Sequence, residues 1–243
     1  MIPIAALLLT TLKTRVSGAS YASKVLSYAP TAFYKHDEAS GTAIIDYSGN
    51  GVNGGYYAPD PGAYRGGTFL DGTPAYYSSF ASVGSAYADA LVTGDNPFAW
   101  VDSFTEWIKP SAVIEDPDES WLFVDYYQWV NGITDQCQIV LYRINATEMK
   151  LVVNRGTEQS HTFTYTADVW MHIAITTNDT ETKLYVNGVL EATLTGYGTN
   201  NFALDYDNSF YNFVYATTGL LSYSAYWKDT ILTAEQIADL ASV

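Results

Sequence analysis

The sequence predicts an all-β protein, and three observations carry that expectation. Short alternating apolar and polar segments recur along the chain, glycine, asparagine and proline punctuate them, and almost no stretch follows the helical period. At 243 residues with 48% hydrophobic content the chain can bury a large core, and all-β sandwiches of this size commonly form one domain. Strands are expected near 31–36, 42–46, 52–58, 67–71, 98–109, 121–127, 136–143, 148–154, 159–166, 170–176, 182–187, 189–195, 210–216 and 219–227. So many strands need two packed sheets or a closed barrel.

The chain opens on an arm, residues 1–26. Its apolar run from Ile2 to Leu9 is far shorter than the ~20 residues of a membrane-spanning helix, so no span is expected. The positive charges follow that run instead of preceding it, unlike a secretory leader, and the expectation is an arm kept in the mature protein. Ala5, Leu8, Leu9, Leu12 and Val16 would share one face of a short helix, and the most linker-like stretch is Arg15 to Lys24. Lys13, Arg15, Lys24 and Lys35 are the only charged residues before Asp37, so +4 precedes Asp37, while the remaining 7 basic against 26 acidic residues leave −19. Lys13, Arg15 and Lys24 are therefore candidate anchors onto another copy or another acidic surface, against the simpler reading of solvated lysines on a loose terminus. The net charge of −15 repels nucleic-acid phosphate and anionic lipid, which excludes nucleic acid as a partner of the body.

The body is expected over residues 27–243. Ser27 to Tyr57 joins a short strand, the Asp37-Glu38 pair and a glycine/asparagine turn, Asp46-Tyr47-Ser48-Gly49-Asn50-Gly51. Phe104 to Pro110 (FTEWIKP) reads as a strand, and Cys137, the single cysteine, sits at strand spacing as a core residue that can form no intrachain disulfide. In Trp170 to Thr176, Met171, Ile173 and Ile175 face one way and Trp170, His172 and Ala174 the other, so both faces are apolar and the strand is central. His172 then reads as a hydrogen-bonded structural histidine. Asn187-Gly188 supplies the positive φ angles of a type I′ turn between two short strands. Thr233 and Gln236 have capping-box spacing and open a short helix through Leu240, with Ile237 and Leu240 packing back on the sandwich.

Four blocks, Tyr28–Gly54, Phe104–Pro110, Trp170–Gly188 and Leu232–Leu240, resemble the laminin-G-like jelly-roll domains of the concanavalin A-like lectin/glucanase group. The resemblance implies an all-β, two-sheet antiparallel jelly-roll sandwich with a short C-terminal helix, preceded here by the arm. Phe33-Tyr34-Lys35-His36 departs from the family's usual opening trio, and Gly219 to Trp227 lacks the acidic pair usual in that strand. The opening block, with Tyr21-Ala22-Ser23-Lys24-Val25-Leu26 before it, is similar to those of bacteriophage structural and tail proteins.

A glucanase of this broad fold needs paired carboxylates on one strand face. The nearest match, Glu115-Asp116-Pro117-Asp118-Glu119, carries a proline that marks a turn, so it reads as a solvated acidic loop and no hydrolase is expected. The resemblance implies calcium near Asp46 and Asn50, whose oxygens suit that cation, while the same residues close Asx turns unaided. Asp205-Tyr206-Asp207-Asn208 is a second oxygen-rich turn. The doublets Tyr56-Tyr57, Tyr76-Tyr77 and Tyr126-Tyr127 each turn one ring outward if extended, which suits a glycan, a protein interface or plain β-propensity.

Two function classes follow. The first is a non-enzymatic virion structural protein, a capsid decoration, fibre or tail component, displayed on the virion surface and joined by its arm to other virion proteins or copies of itself. On that expectation, deleting residues 1–24 leaves a folded domain. The alternative is a carbohydrate-binding lectin or adhesion module, with calcium as an optional cofactor and a host-surface glycan as partner, secreted or at a cell surface.

Overall fold

A computed structural model describes residues 20–41, 43–57, 65–78, 85–88, 101–113, 120–130, 133–155, 157–178, 180–196, 211–214 and 219–243. Helix α1 (Tyr21–Ser27) comes first, then strands β1 (Ala32–Tyr34), β2 (Ala43–Ile44), β3 (Gly54–Tyr57), β4 (Arg65–Thr68), β5 (Pro74–Ser78) and β6 (Ser85–Ala88). There follow β7 (Val101–Pro110), β8 (Ser120–Val130), β9 (Ile133–Arg143), β10 (Glu148–Arg155), β11 (Glu158–Thr164), β12 (Met171–Thr177), β13 (Glu181–Val186) and β14 (Val189–Thr195). The chain closes with β15 (Tyr211–Val214), β16 (Gly219–Lys228) and helix α2 (Ala234–Leu240).

One layer is the sheet β14-β13-β12-β7-β16-β5-β4, with β1 pairing the second half of β16. The facing layer is made of β11-β10-β9-β8 and β15-β6-β3-β2, brought side by side where β15 lies against β8. All pairings within these sheets are antiparallel, the arrangement of a jelly-roll sandwich. Between the layers, Phe104, Ile108, Ile173, Ile175, Leu184 and Leu221 of the first sheet meet Ile139, Leu141, Met149, Leu151, Val153 and Phe163 of the second.

The alternation read from the sequence explains why β12 needs cover on both sides. Met171, Ile173 and Ile175 enter the inter-sheet core, and Ala174 faces outward with Trp107, Tyr185, Ala225 and Trp227. A second apolar cluster forms on that outer face, closed by Tyr21 and Val25 of α1 and by Leu232, Ile237 and Leu240 around α2. An apolar sheet face left to water costs about 25 cal/mol per Å², so the two terminal helices are part of the packed body.

Residues 20–26, expected as the end of the arm, pack on the body. Tyr21 and Val25 are buried, the Trp107 indole N–H donates to Tyr21 Oη at 2.8 Å, and Tyr21 Oη donates to Leu240 O at 2.8 Å. The stretch that reads as a linker is helical from Tyr21 because Ser20 caps it, accepting a bond from Ser23 N at 3.3 Å. Lys13, Arg15 and the helix face Ala5–Val16 lie outside the described residues.

β5 and β6 are absent from the sequence-based strand assignment, and β4 begins before it. The remaining strands fall where expected, with ends shifted by a few residues. The hairpin β13–β14 is present, with Asn187 at φ 49° and Gly188 at φ 81°. So is the capping box, in which Thr233 Oγ1 accepts from Gln236 N while Gln236 Oε1 accepts from Thr233 N.

Candidate functional site

On the outer face of the first sheet, where β12 and β13 pass under the start of α2, a cavity of about 290 Å³ opens to solvent. Its position follows from strand geometry. Side chains alternate across a strand, so Thr182 and Leu184 enter the inter-sheet side while Glu181, Lys183 and Tyr185 form a row on the outer face. Thr176, Thr177, Asn178 and Glu181 close one end, and Ile231, Leu232, Thr233 and Ala234 form the far wall. That wall is fixed by Ser103, whose Oγ donates to Thr230 O at 2.8 Å and accepts from Leu232 N at 2.9 Å.

The chemistry of the groove is mixed. Lys183 Nζ donates to Glu181 Oε1, the two side chains being 32% and 30% exposed, and this bond first and foremost holds the Lys183 ammonium protonated, raising its pKa. Asn178 Oδ1 accepts from Thr180 N, Thr180 Oγ1 and Glu181 N, which folds the β12–β13 connection tightly under the cavity. Tyr185 brings a phenol on a ring otherwise packed in the outer core, and Ile231, 50% exposed, adds an apolar rim. Fixed donors and acceptors beside small apolar faces are what a polyhydroxylated ligand needs. The sequence reading missed this groove. Its signal was the alternation Glu181, Lys183, Tyr185 ahead of the Asn187-Gly188 turn; which face would be roofed by a helix was not legible locally.

Asp46 and Asn50 are brought together, but as a self-closed loop. Asp46 Oδ1 accepts from Phe33 N at 3.0 Å and Ser48 N at 2.8 Å, and Oδ2 accepts from Ser48 Oγ at 2.8 Å and Val52 N at 2.9 Å. A carboxylate has about four acceptor positions, and all four are taken. Asn50 Nδ2 donates to Thr31 O at 2.9 Å and Pro30 O at 3.3 Å. As arranged, the pair does not fit the calcium site expected of it, because a cation would have to displace these donors. Among the described residues, no group of three or more His, Cys, Asp or Glu is placed to hold a metal.

Lys24, expected as an anchor, is turned inward. Its ammonium donates to Ser242 O at 2.6 Å, Ser242 Oγ at 2.8 Å and Asp239 O at 3.0 Å, and Tyr28 Oη donates to Asp239 Oδ2 at 2.9 Å. These bonds tie α1 to the end of α2, where Ser242 N also donates to Asp239 O at 3.0 Å. Tyr56 and Tyr57 lie in β3, Tyr76 and Tyr77 in β5, and Tyr126 and Tyr127 in β8, with Cys137 in β9; the side chains of all seven are outside the described ones. Glu115 to Glu119 and Asp205 to Asn208 also lie outside the described residues.

A polar chain crosses the sandwich interior beside β1. Ser224 Oγ donates to Glu106 Oε1 at 2.7 Å, and His36 Nε2 bonds Ser224 Oγ at 2.8 Å. Burial pushes the Glu106 carboxyl up to about 8 and the His36 imidazole down to about 3, so at neutral pH both are uncharged. All three residues are buried, which makes the chain structural. His172 corrects an expectation: its ring is fully buried, but neither nitrogen has a hydrogen-bond partner among the described residues. It packs instead against Trp107, ring centroids 5.1 Å apart, and burial lowers its pKa to about 3.

Among the described residues, no helix is long and apolar enough to cross a membrane. No curated protein matches the chain. Among solved structures, domain 4 of AbnA, a GH43 extracellular arabinanase from Geobacillus stearothermophilus in complex with arabinotriose, is similar with a TM-score of 0.57 and 19% identity, over 88% of this chain and 98% of that one. The receptor binding domain of botulinum neurotoxin D is similar with a TM-score of 0.58 and 15% identity, over 89% of this chain. Trypanosoma rangeli sialidase in complex with the inhibitor DANA follows with a TM-score of 0.57 and 13% identity, over 86% of this chain. The chain spans 53% of the neurotoxin chain and 32% of the sialidase chain, and at these identities the likeness is one of fold. The family model described as the concanavalin A-like lectin/glucanases superfamily matches residues 78–238, most of the chain. With that match and the two-layer jelly roll together, the chain belongs to the concanavalin A-like lectin/glucanases superfamily.

Proposed function

We propose that this protein is a non-catalytic carbohydrate-binding module that holds its ligand in the groove between β13 and the start of α2. The observation that carries the reading is the composition of that groove, with a carboxylate, an ammonium, a phenol, threonine hydroxyls and an apolar rim around about 290 Å³. Support comes from the arabinanase domain in complex with arabinotriose, which has the same fold over nearly its whole length. A hydrolase is disfavoured because glycoside hydrolysis commonly takes two carboxyl groups flanking the bond, and Glu181 is the single carboxylate among the described lining residues. The test is a glycan array probed with the full chain, followed by titration of each hit. Saturable binding supports the module, and a flat array at high protein concentration overturns it.

A second reading concerns where the module is displayed. The charge split, basic before Asp37 and acidic after it, favours attachment of the first residues to a neighbouring acidic surface on a virus or phage particle, with the sandwich facing outward. Of the three basic residues assigned to that anchor, Lys24 is engaged by α2, which leaves Lys13 and Arg15 to carry it. Fractionation of source particles, followed by electron microscopy, tests this reading: copies repeating on a lattice support it, and recovery only as free or cell-surface protein removes it.

A further inference from the structure

We infer that the groove reads a vicinal diol of a single uncharged sugar unit, with Glu181 accepting from one hydroxyl and Lys183 donating to its neighbour. This rests on the carbohydrate-binding reading above and specifies its ligand. Glu181, Lys183 and Tyr185 are alternate residues of one strand, so their attachment points step along β13 by about 6.6 Å each. Such a row presents an acceptor, a donor and a phenol in a fixed order to anything lying along the strand.

The state of the ion pair sets the ligand's charge. An ammonium has three donors and a carboxylate about four acceptor positions, and the bond from Lys183 Nζ to Glu181 Oε1 uses one of each. Adjacent sugar hydroxyls can use what remains without breaking that bond, since each is both donor and acceptor. A uronate or sialate could take a remaining Lys183 donor only by setting its carboxylate beside that of Glu181, which repels it, and it would approach a body whose net charge is −15. The neutral pair therefore selects against acidic sugars.

Size sets the length of the ligand. A volume of about 290 Å³ lies at the low end of small-molecule sites, which run from about 300 to 1,000 Å³. One sugar unit, or the end of a chain, fills it. Ile231 at the rim then meets the C–H face of the ring, and Thr176 and Thr233 line the same space.

The experiment is calorimetric or NMR titration of the full chain with neutral monosaccharides and disaccharides, with their deoxy analogues, and with glucuronate and sialic acid. A neutral sugar should saturate the protein, and its analogue lacking one hydroxyl of the diol should bind at least tenfold more weakly. Glu181→Ala and Lys183→Met should each weaken the neutral sugar tenfold or more. Both side chains are partly exposed, so the thermal midpoint should move little, which separates lost recognition from lost folding. Glu181→Gln, which frees Lys183, should gain affinity for glucuronate. Neutral-sugar binding untouched by the Glu181 and Lys183 variants, or wild-type protein preferring the acidic sugars, overturns the assignment while leaving a carbohydrate-binding module. No binding of any saccharide overturns both.

Discussion

Asp46 shows how one side chain can determine a loop. Its four accepted bonds join β1, the Ser48 turn and Val52, so the carboxylate does for this segment what a bound ion does elsewhere. Asp46→Ala strands the backbone N–H groups of Phe33, Ser48 and Val52, and bonds to a charged acceptor contribute about 1.5–3 kcal/mol each. The expected loss is about 3 kcal/mol after water satisfies the more exposed donors, read as a lower urea midpoint. The wild-type midpoint should be the same in calcium and in chelator. A drop on chelation would place a cation among these oxygens. The sequence showed that Asp46 and Asn50 sit in a turn; which acceptors were already occupied depended on β1, thirteen residues away, and so was not legible.

At the scale of elements, the helices explain the sheet. α2 runs across the β13–β14 turn so closely that a Cβ on Gly188 would stand 3.0 Å from Ala238 Cα and 3.0 Å from Ala241 Cβ. Gly188 also has φ 81°, which disfavours any side chain. Gly188→Ala should cost about 1–3 kcal/mol in a denaturant titration and expose α2 to limited proteolysis, since the helix must lift to admit the methyl group. Full stability with an unchanged cleavage pattern would show that α2 has freedom the packing denies it. α1 is held in turn by α2. Deleting residues 1–24 removes Tyr21, leaves the Trp107 indole N–H without its acceptor and uncovers the outer core. The shortened chain should therefore lose cooperative unfolding or aggregate, measured by calorimetry. A two-state melt close to that of the full chain would return residues 20–24 to the status of a detachable arm.

The whole molecule should have a pH optimum set by its uncharged interior. Burial raises Glu106 from 4.5 to about 8, so as pH rises through that interval the unfolded chain has lost a proton that the folded chain keeps, and stability falls. Burial lowers His36 and His172 from 6.5 to about 3, so as pH falls through that interval the unfolded chain gains protons that the folded chain refuses, and stability falls again. Two imidazoles rising against one carboxyl balance at about pH 6.5, with the slope on the alkaline side reaching about 0.8 kcal/mol per pH unit before the folded carboxyl itself ionises. Urea titrations from acid to alkaline pH should trace this maximum, and Glu106→Gln should flatten the alkaline limb while steepening the acid one, where the carboxyl opposes the imidazoles. An alkaline limb unchanged in Glu106→Gln would assign it to another group.

Taken alone, the sequence determined the β architecture, most strand positions, the Asn187-Gly188 hairpin, the Thr233 cap and the family, because each depends on alternation or on residues within a few positions of one another. It also determined the net charge of −15. The tertiary structure decided that α1 belongs to the body, that Lys24 serves α2, that Asp46 is saturated, and that Glu181, Lys183 and Tyr185 border a roofed groove. Each of these joins residues from elements far apart in the chain. Alternation says that a strand has two faces; only packing says what covers each of them.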